Sequence, residues 1–174
     1  MSAYLAIHNQ IKQQGAMPFV AFMQEALFSP QFGYYTSGLP KFGETGDFTT
    51  APEMTPLFGY ALANQCAEVM AGLDQPELFE FGAGSGRLCV DILTRLEALD
   101  CLPVTYYILD VSADLKSRQK ALIADTIPHL LSRVNWLTRL PDKPFSGVMI
   151  ANEVLDAIDR KSTRLNSSHN ASSR

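Results

Sequence analysis

Residues 77–87 read Glu77-Leu78-Phe79-Glu80-Phe81-Gly82-Ala83-Gly84-Ser85-Gly86-Arg87, and no other stretch constrains the fold so tightly. An apolar run carries an acidic residue near its end, three glycines follow at alternate positions, and a helix-like stretch (Leu88, Val90, Ile92, Leu93, Leu96) begins at once. The pattern predicts a buried parallel strand that turns sharply into a helix, with bare backbone at the turn for a ligand to approach. A dinucleotide loop wants G-x-G-x-x-G/A, which would place a small residue at 87, where this chain has Arg87. Glu80, two positions before the first glycine, favours a ligand carrying an ammonium or sulfonium over a pyrophosphate.

The flanking text builds the rest of an α/β fold. Residues 3–14 read as a short helix ending at Gly15. Pro18 opens a second, with Phe19, Phe22, Met23, Ala26 and Leu27 as its apolar stripe and Ser29-Pro30 as its stop. An aromatic, glycine-rich stretch from Phe32 to Thr50 follows; irregular runs of that length inside compact proteins usually serve function. A helix is expected from Pro52 or Glu53 to Met70, with Leu57, Ala61, Leu62, Cys66 and Val69 facing inward. Beyond the glycine loop, Val104–Leu109 is β-rich and ends on Asp110, and Ser112 caps a helix carrying Leu115, Leu122 and Ile123. Val134–Leu137 and Phe145–Ala151 read as third and fourth strands. Strands spaced by helices mean βαβ units and a parallel sheet, with the strand ends and any ligand on one edge.

The last sixteen residues differ in character. From Asp159 every residue except Leu165 and Ala171 is polar, without helical or strand periodicity. Asp159 to His169 resembles the in-frame translation of a sequencing-library adapter, so residues 159–174 are expected to be a non-native tail; a disordered native tail is the alternative. The chain has 14 basic and 18 acidic residues, and the tail holds four of the former and one of the latter. Residues 1–158 therefore carry 10 basic and 17 acidic residues, a net of −7, which disfavours nucleic acid and anionic membranes as partners. No apolar run reaches membrane-spanning length. Neither a signal peptide nor an arginine-rich leader opens the chain, whose first arginine is Arg87; the expected compartment is the cytoplasm. Cys66, Cys89 and Cys101 include no C-x-x-C pair, and His8 and His129 have no partner at metal-ligand spacing, so no metal is expected.

Four motifs in order carry a resemblance: Phe-Gly-x-x-Gly-Asp-Phe-x-Thr-x-Pro-Glu (Phe42 to Glu53), Glu-Phe-Gly-Ala-Gly-Ser-Gly, Tyr-Ile-Leu-Asp-Val-Ser and Ala-Asn-Glu-Val-Leu-Asp-Ala. Together they resemble the MidA-like S-adenosylmethionine (SAM) dependent methyltransferases, a family that includes the mitochondrial complex I assembly arginine methyltransferase. The likeness spans about residues 15–158. Asp110 departs from the family, which more often has Glu there, and the family's downstream half is missing. The resemblance implies a class I Rossmann-like sheet, truncated after the fourth strand and preceded by an N-terminal helical segment. It divides the chain into a helical and covering segment (1–72), an incomplete SAM-binding domain (73–158) and the tail.

The implied activity is methylation of a protein, on arginine nitrogen, with a complex I subunit as the partner; the chain in this truncated form is expected to be inactive. Cofactor contacts are assigned to Glu80, Gly82, Gly84, Gly86 and Asp110, and to Gly46, Asp47 and Thr49 from the covering loop. Glu80 would face the methionyl end, and Asp110 would take the ribose hydroxyls, as a carboxylate at that place does in NAD sites. Glu153 is the candidate for gripping the guanidinium, with Asn152 shaping the transfer site and Asp156 beside them. Trp136 is expected to fill the core, with the neighbourhood of the adenine as its other reading. Two further readings stay open: an NAD-linked oxidoreductase, and a non-catalytic assembly chaperone that keeps the SAM fold.

Overall fold

The structure, a computed structural model, describes residues 3–30, 32–34 and 50–154. The covering loop with Gly46, Asp47 and Thr49, together with Asp156 and the tail, lies outside the described residues. The chain divides into two compact units.

The first holds helices α1 (Ala3–Gln14) and α2 (Phe19–Phe28), together with residues 153 and 154. Gly15 ends α1 at φ +82, a backbone turn that glycine makes without penalty, and its N–H returns to the Ile11 carbonyl at 2.9 Å. Neither helix has a fully buried residue; of the stripe expected on α2, Met23, Ala26 and Leu27 are half-buried while Phe22 and Phe19 are 38 % and 72 % exposed.

The second unit contains the sheet. Strands β1 (Glu77–Phe81), β2 (Thr105–Leu109), β3 (Val134–Leu137) and β4 (Gly147–Ala151) are all parallel, in the order β3-β2-β1-β4. The order runs outward from β1 through β2 to β3, then reverses to place β4 on the other side of β1. Between β1 and β4 lies the topological switch point, where open parallel sheets bind ligands beyond their strand ends. In-register pairing sets Trp136, Ile108, Glu80 and Ile150 in one row across the sheet, and Val134, Tyr106, Leu78 and Val148 in the next.

These two rows face the helices. Helix α5 (Arg87–Ala98) buries Leu88, Cys89, Val90, Ile92, Leu93 and Leu96 against them, each large aliphatic contributing roughly 1.5–3 kcal/mol. Helix α6 (Ala113–Thr126) adds Ile123, and a 3-10 helix (Pro128–Arg133) adds Leu130. The opposite face carries Phe79, with Phe81, Tyr107 and Phe145 at ring-centroid distances of 4.7, 6.1 and 6.2 Å.

The helix expected from residue 52 or 53 forms as two pieces, α3 (Ala51–Met54) and α4 (Pro56–Met70), with the Thr55 hydroxyl accepting from the Leu57 N–H at the break. Its buried face agrees with the expected one in part. Cys66 is buried and Leu62 packs against the core, but Leu57 and Val69 are 69 % and 56 % exposed and Ala61 is exposed, whereas Gly59, Ala63 and Met70 are inside. The reason is packing distance. A Cβ on Gly59 would lie 2.5 Å from the Asp91 Cβ, so α4 crosses α5 over its small residues, and a leucine stripe would hold the helices apart. Residues 51–70 thus pack in the same unit as the sheet.

Candidate functional site

At the end of β1 the chain leaves the sheet through Gly82, Gly84 and Gly86, at φ +59, +53 and +91. Three left-handed residues at alternate positions cost an L side chain roughly 1–2 kcal/mol each, which accounts for the spacing in the sequence. The Gly82 N–H is tied to the Leu109 carbonyl at 2.9 Å and the Gly86 N–H to Ala83 at 2.8 Å. Gly86 is needed for space as well, because its Cβ would meet Gln119 at 3.2–3.3 Å. Arg87 then opens α5, whose first-turn N–H groups point back toward the loop.

Register sets the neighbours of this loop. Leu109 and Ala151 both pair with Phe81, so Asp110 and Asn152 flank Gly82 on the two adjoining strand ends. Asp110 is 6 % exposed. Its Oδ1 accepts from the Ser112 N–H at 3.0 Å and its Oδ2 from Gln119 Nε2 at 2.9 Å. Burial raises its pKa, opposed by those two hydrogen bonds and by the charge of Lys116. The bond to Ser112 also shapes the entry to α6, whose cap is the Ser112 hydroxyl accepting from Leu115 N–H at 3.3 Å. Each carboxylate oxygen can accept more than one hydrogen bond, so that local role leaves capacity for ligand hydroxyls.

Glu80, expected to face the methionyl end, stands in β1 two residues before Gly82. It is 2 % exposed on the helix-covered face, and its Oε2 accepts from the Tyr106 hydroxyl at 2.8 Å. Burial pushes its carboxyl up from 4.5 to about 7; the Tyr106 hydrogen bond works against that rise and the nearby Asp110 charge adds to it.

Gln119 organises the site, and the sequence motifs do not single it out. Fully buried, it donates to the Gly84 carbonyl at 3.0 Å and to Asp110, and its Oε1 accepts from Trp136 Nε1 at 2.9 Å. One side chain therefore joins the glycine loop, the end of β2 and β3. A signal exists in the sequence: Gln119 falls between Leu115 and Ile123 at i, i+4 spacing, a polar residue on the inward stripe of α6. Trp136 is half-buried, packs on the core, and has Lys120 Nζ 5.0 Å from its ring centroid.

Glu53 enters the sequence reading as a motif end and a helix start and not as a site residue, yet its Oε1 accepts a hydrogen bond from Ser85 Oγ, inside the glycine loop. Glu153, directly after Asn152, is exposed and adopts φ +52, an uncommon backbone conformation for a residue with a side chain. Among the described residues no group of three or more His, Cys, Asp or Glu side chains could hold a metal ion.

Residues 61–169 match the family described as "Putative S-adenosyl-L-methionine-dependent methyltransferase". Among curated relatives, the mitochondrial protein arginine methyltransferase NDUFAF7 of Xenopus laevis is 32 % identical over 63 % of this chain and 26 % of its own length. The Drosophila melanogaster homologue of that protein is 29 % identical over 87 % of the chain and 39 % of its own length. A solved structure of a "likely methyl transferase" from Burkholderia thailandensis, bound to S-adenosyl-homocysteine, superposes with a TM-score of 0.82 at 38 % identity. It covers 88 % of this chain, which spans 41 % of it. The chain thus spans about a quarter to two fifths of the length of these relatives. The names correct one expectation. The curated relatives are called mitochondrial, which points to mitochondria rather than the cytoplasm. An address of that kind is carried by a targeting segment rather than by the fold, so the composition of the folded part does not record it.

Proposed function

The chain belongs to this S-adenosyl-L-methionine-dependent methyltransferase family, and from that premise we propose that it carries the cofactor site of a protein-arginine N-methyltransferase. The observation that carries the reading is the switch point: three left-handed glycines between β1 and α5, flanked by the buried carboxylate of Asp110. All three glycines hold left-handed backbone that an L side chain would strain, so the loop fits a ligand lying against bare main chain. Gly82, Gly84 and Gly86 would hold the methionyl end beside the start of α5, and Asp110 the ribose, with Gln119 fixing the carboxylate. Gly46, Asp47 and Thr49 are proposed to cover the cofactor from the N-terminal side.

When bound, SAM supplies a methyl group on a sulfonium that is already electrophilic. The protein has to bring a nucleophile to about 3 Å in line and exclude water. A guanidinium is protonated at ordinary pH and its lone pairs are delocalised, so an acidic group must orient it and accept its proton. Glu153 is assigned that role, with Asn152 shaping the site at the end of β4 and Asp156 nearby in sequence. The positive φ of Glu153 supports it, since residues held in sparsely populated backbone regions cluster at functional sites. Names of the relatives supply the arginine substrate, and the family resemblance suggests a subunit of respiratory complex I as the acceptor.

Calorimetry on the full-length protein tests the reading. SAM should bind, NAD should not, and Asp110→Ala should weaken SAM by roughly 1.5–3 kcal/mol, the range for a charge-assisted hydrogen bond. Unchanged affinity removes Asp110 from the site. Binding of NAD in place of SAM would return the oxidoreductase reading, and SAM binding without transfer to any protein would favour the chaperone.

A further inference from the structure

An amino-acid cofactor brings a primary ammonium, which an anionic acceptor on the ligand's side of the glycine loop would hold more strongly than a neutral one. Glu80, the residue with the expected spacing, is sealed at 2 % exposure and engaged by the Tyr106 hydroxyl on the helix-covered face. Another carboxylate reaches the loop from outside the sheet. Single-turn helix α3 buries Pro52 and leaves Glu53 half-buried beside α5. Ser85 Oγ donates to Glu53 Oε1 and accepts from the Arg87 N–H at 3.2 Å, so one hydroxyl links Glu53 to both the loop and the first turn of α5. Among the described residues, Glu53 has no other side-chain hydrogen bond or ion pair. One turn further along α5, Asp91 is 5 % exposed, and its Oδ2 has no hydrogen-bond partner among the described residues. The charges of Glu53 and Arg87 both act on Asp91, in opposite directions. Asp91 turns its Oδ2 toward Gly59 in the seam with α4, so at the loop itself Glu53 is the carboxylate with acceptor capacity beyond the Ser85 hydrogen bond.

We propose that Glu53, oriented by Ser85, is a cofactor-binding residue that accepts the α-ammonium of the methionyl end, the role its spacing suggests for Glu80. The assignment rests on the SAM reading above.

Two ligands separate binding from support of the loop. S-Adenosylhomocysteine carries the amino-acid end, and 5′-methylthioadenosine shares the nucleoside and thioether but lacks it. By calorimetry on the full-length protein, Glu53→Gln should weaken S-adenosylhomocysteine at least about tenfold, the scale of a lost charge-assisted hydrogen bond, and leave 5′-methylthioadenosine within about twofold. Ser85→Ala should produce a smaller loss with the same selectivity, and it serves as the second arm if Glu53→Gln fails to fold. Equal losses on both ligands would show that Glu53 only props the glycine loop, and no loss on either would remove it from the site; both outcomes overturn the proposal. Wild-type protein that takes neither ligand overturns the SAM reading and this assignment with it.

Discussion

Because Glu80 is buried while titrating near neutrality, folding stability should fall as pH rises, and the amount follows from the structure. The carboxyl sits at about 7 in the folded protein against an ordinary 4.5. Each pH unit of displacement corresponds to about 1.4 kcal/mol. Between pH 4.5 and 7 the folded state holds a proton that the unfolded chain has released, so stability decreases with pH in that window. The contribution is fully present below about 4.5 and is lost as pH passes about 7, a total of about 3 kcal/mol. Glu80→Gln keeps the shape, still accepts from the Tyr106 hydroxyl, and cannot ionise. Constant penalties of the substitution, such as an unpaired amide N–H, cancel when one compares pH values within each protein. Urea unfolding of wild type and variant from about pH 4.5 to 8 gives the test. The gap between the two should shift by about 3 kcal/mol across the range, with the variant gaining on the wild type as pH rises. Asp91 and Asp110, whose pKa values burial also raises, are present in both proteins and largely subtract out. Parallel stability curves would refute the argument, by showing that Glu80 is solvated or titrates normally.

Other substitutions probe separate links. In the full-length protein, Glu153→Gln should leave SAM binding nearly intact while methyl transfer to an arginine-bearing protein falls at least about a hundredfold, since general acid–base contributions run from roughly 10² to 10⁴; equal turnover would move the role to Asp47 or Asp156. Gly59→Ala places a Cβ 2.5 Å from the Asp91 Cβ, and urea unfolding should show a net loss of about 1–2 kcal/mol, overpacking outweighing the gain in helix propensity. Deleting residues 159–174 should leave the thermal midpoint unaltered, because that stretch has no apolar face to bury; a lowered midpoint would show that it packs.

What the sequence determined by itself are the features that depend on local chemistry. Alternate glycines demanded left-handed backbone, and Gly82, Gly84 and Gly86 have it. Ser112 stood where a helix needed a hydroxyl, and it caps α6. Short β-branched and aromatic runs between helical stretches specified parallel strands, and β3 begins and ends where its four residues read as a strand. Only the tertiary structure decided which side chains meet across long separations. The inward face of α4 follows how closely Gly59 lets it approach Asp91, a distance between two helices that hydropathy does not encode. Gln119 becomes the hub of the site because α6 packs across Gly86. The surroundings of Glu80 and Glu53 follow from packing in the same way. A strand alternates its side chains between two faces, and which face the helices cover is settled by packing; that choice buries Glu80 under Tyr106 and leaves Glu53, 32 residues from Ser85 in sequence, to reach the loop.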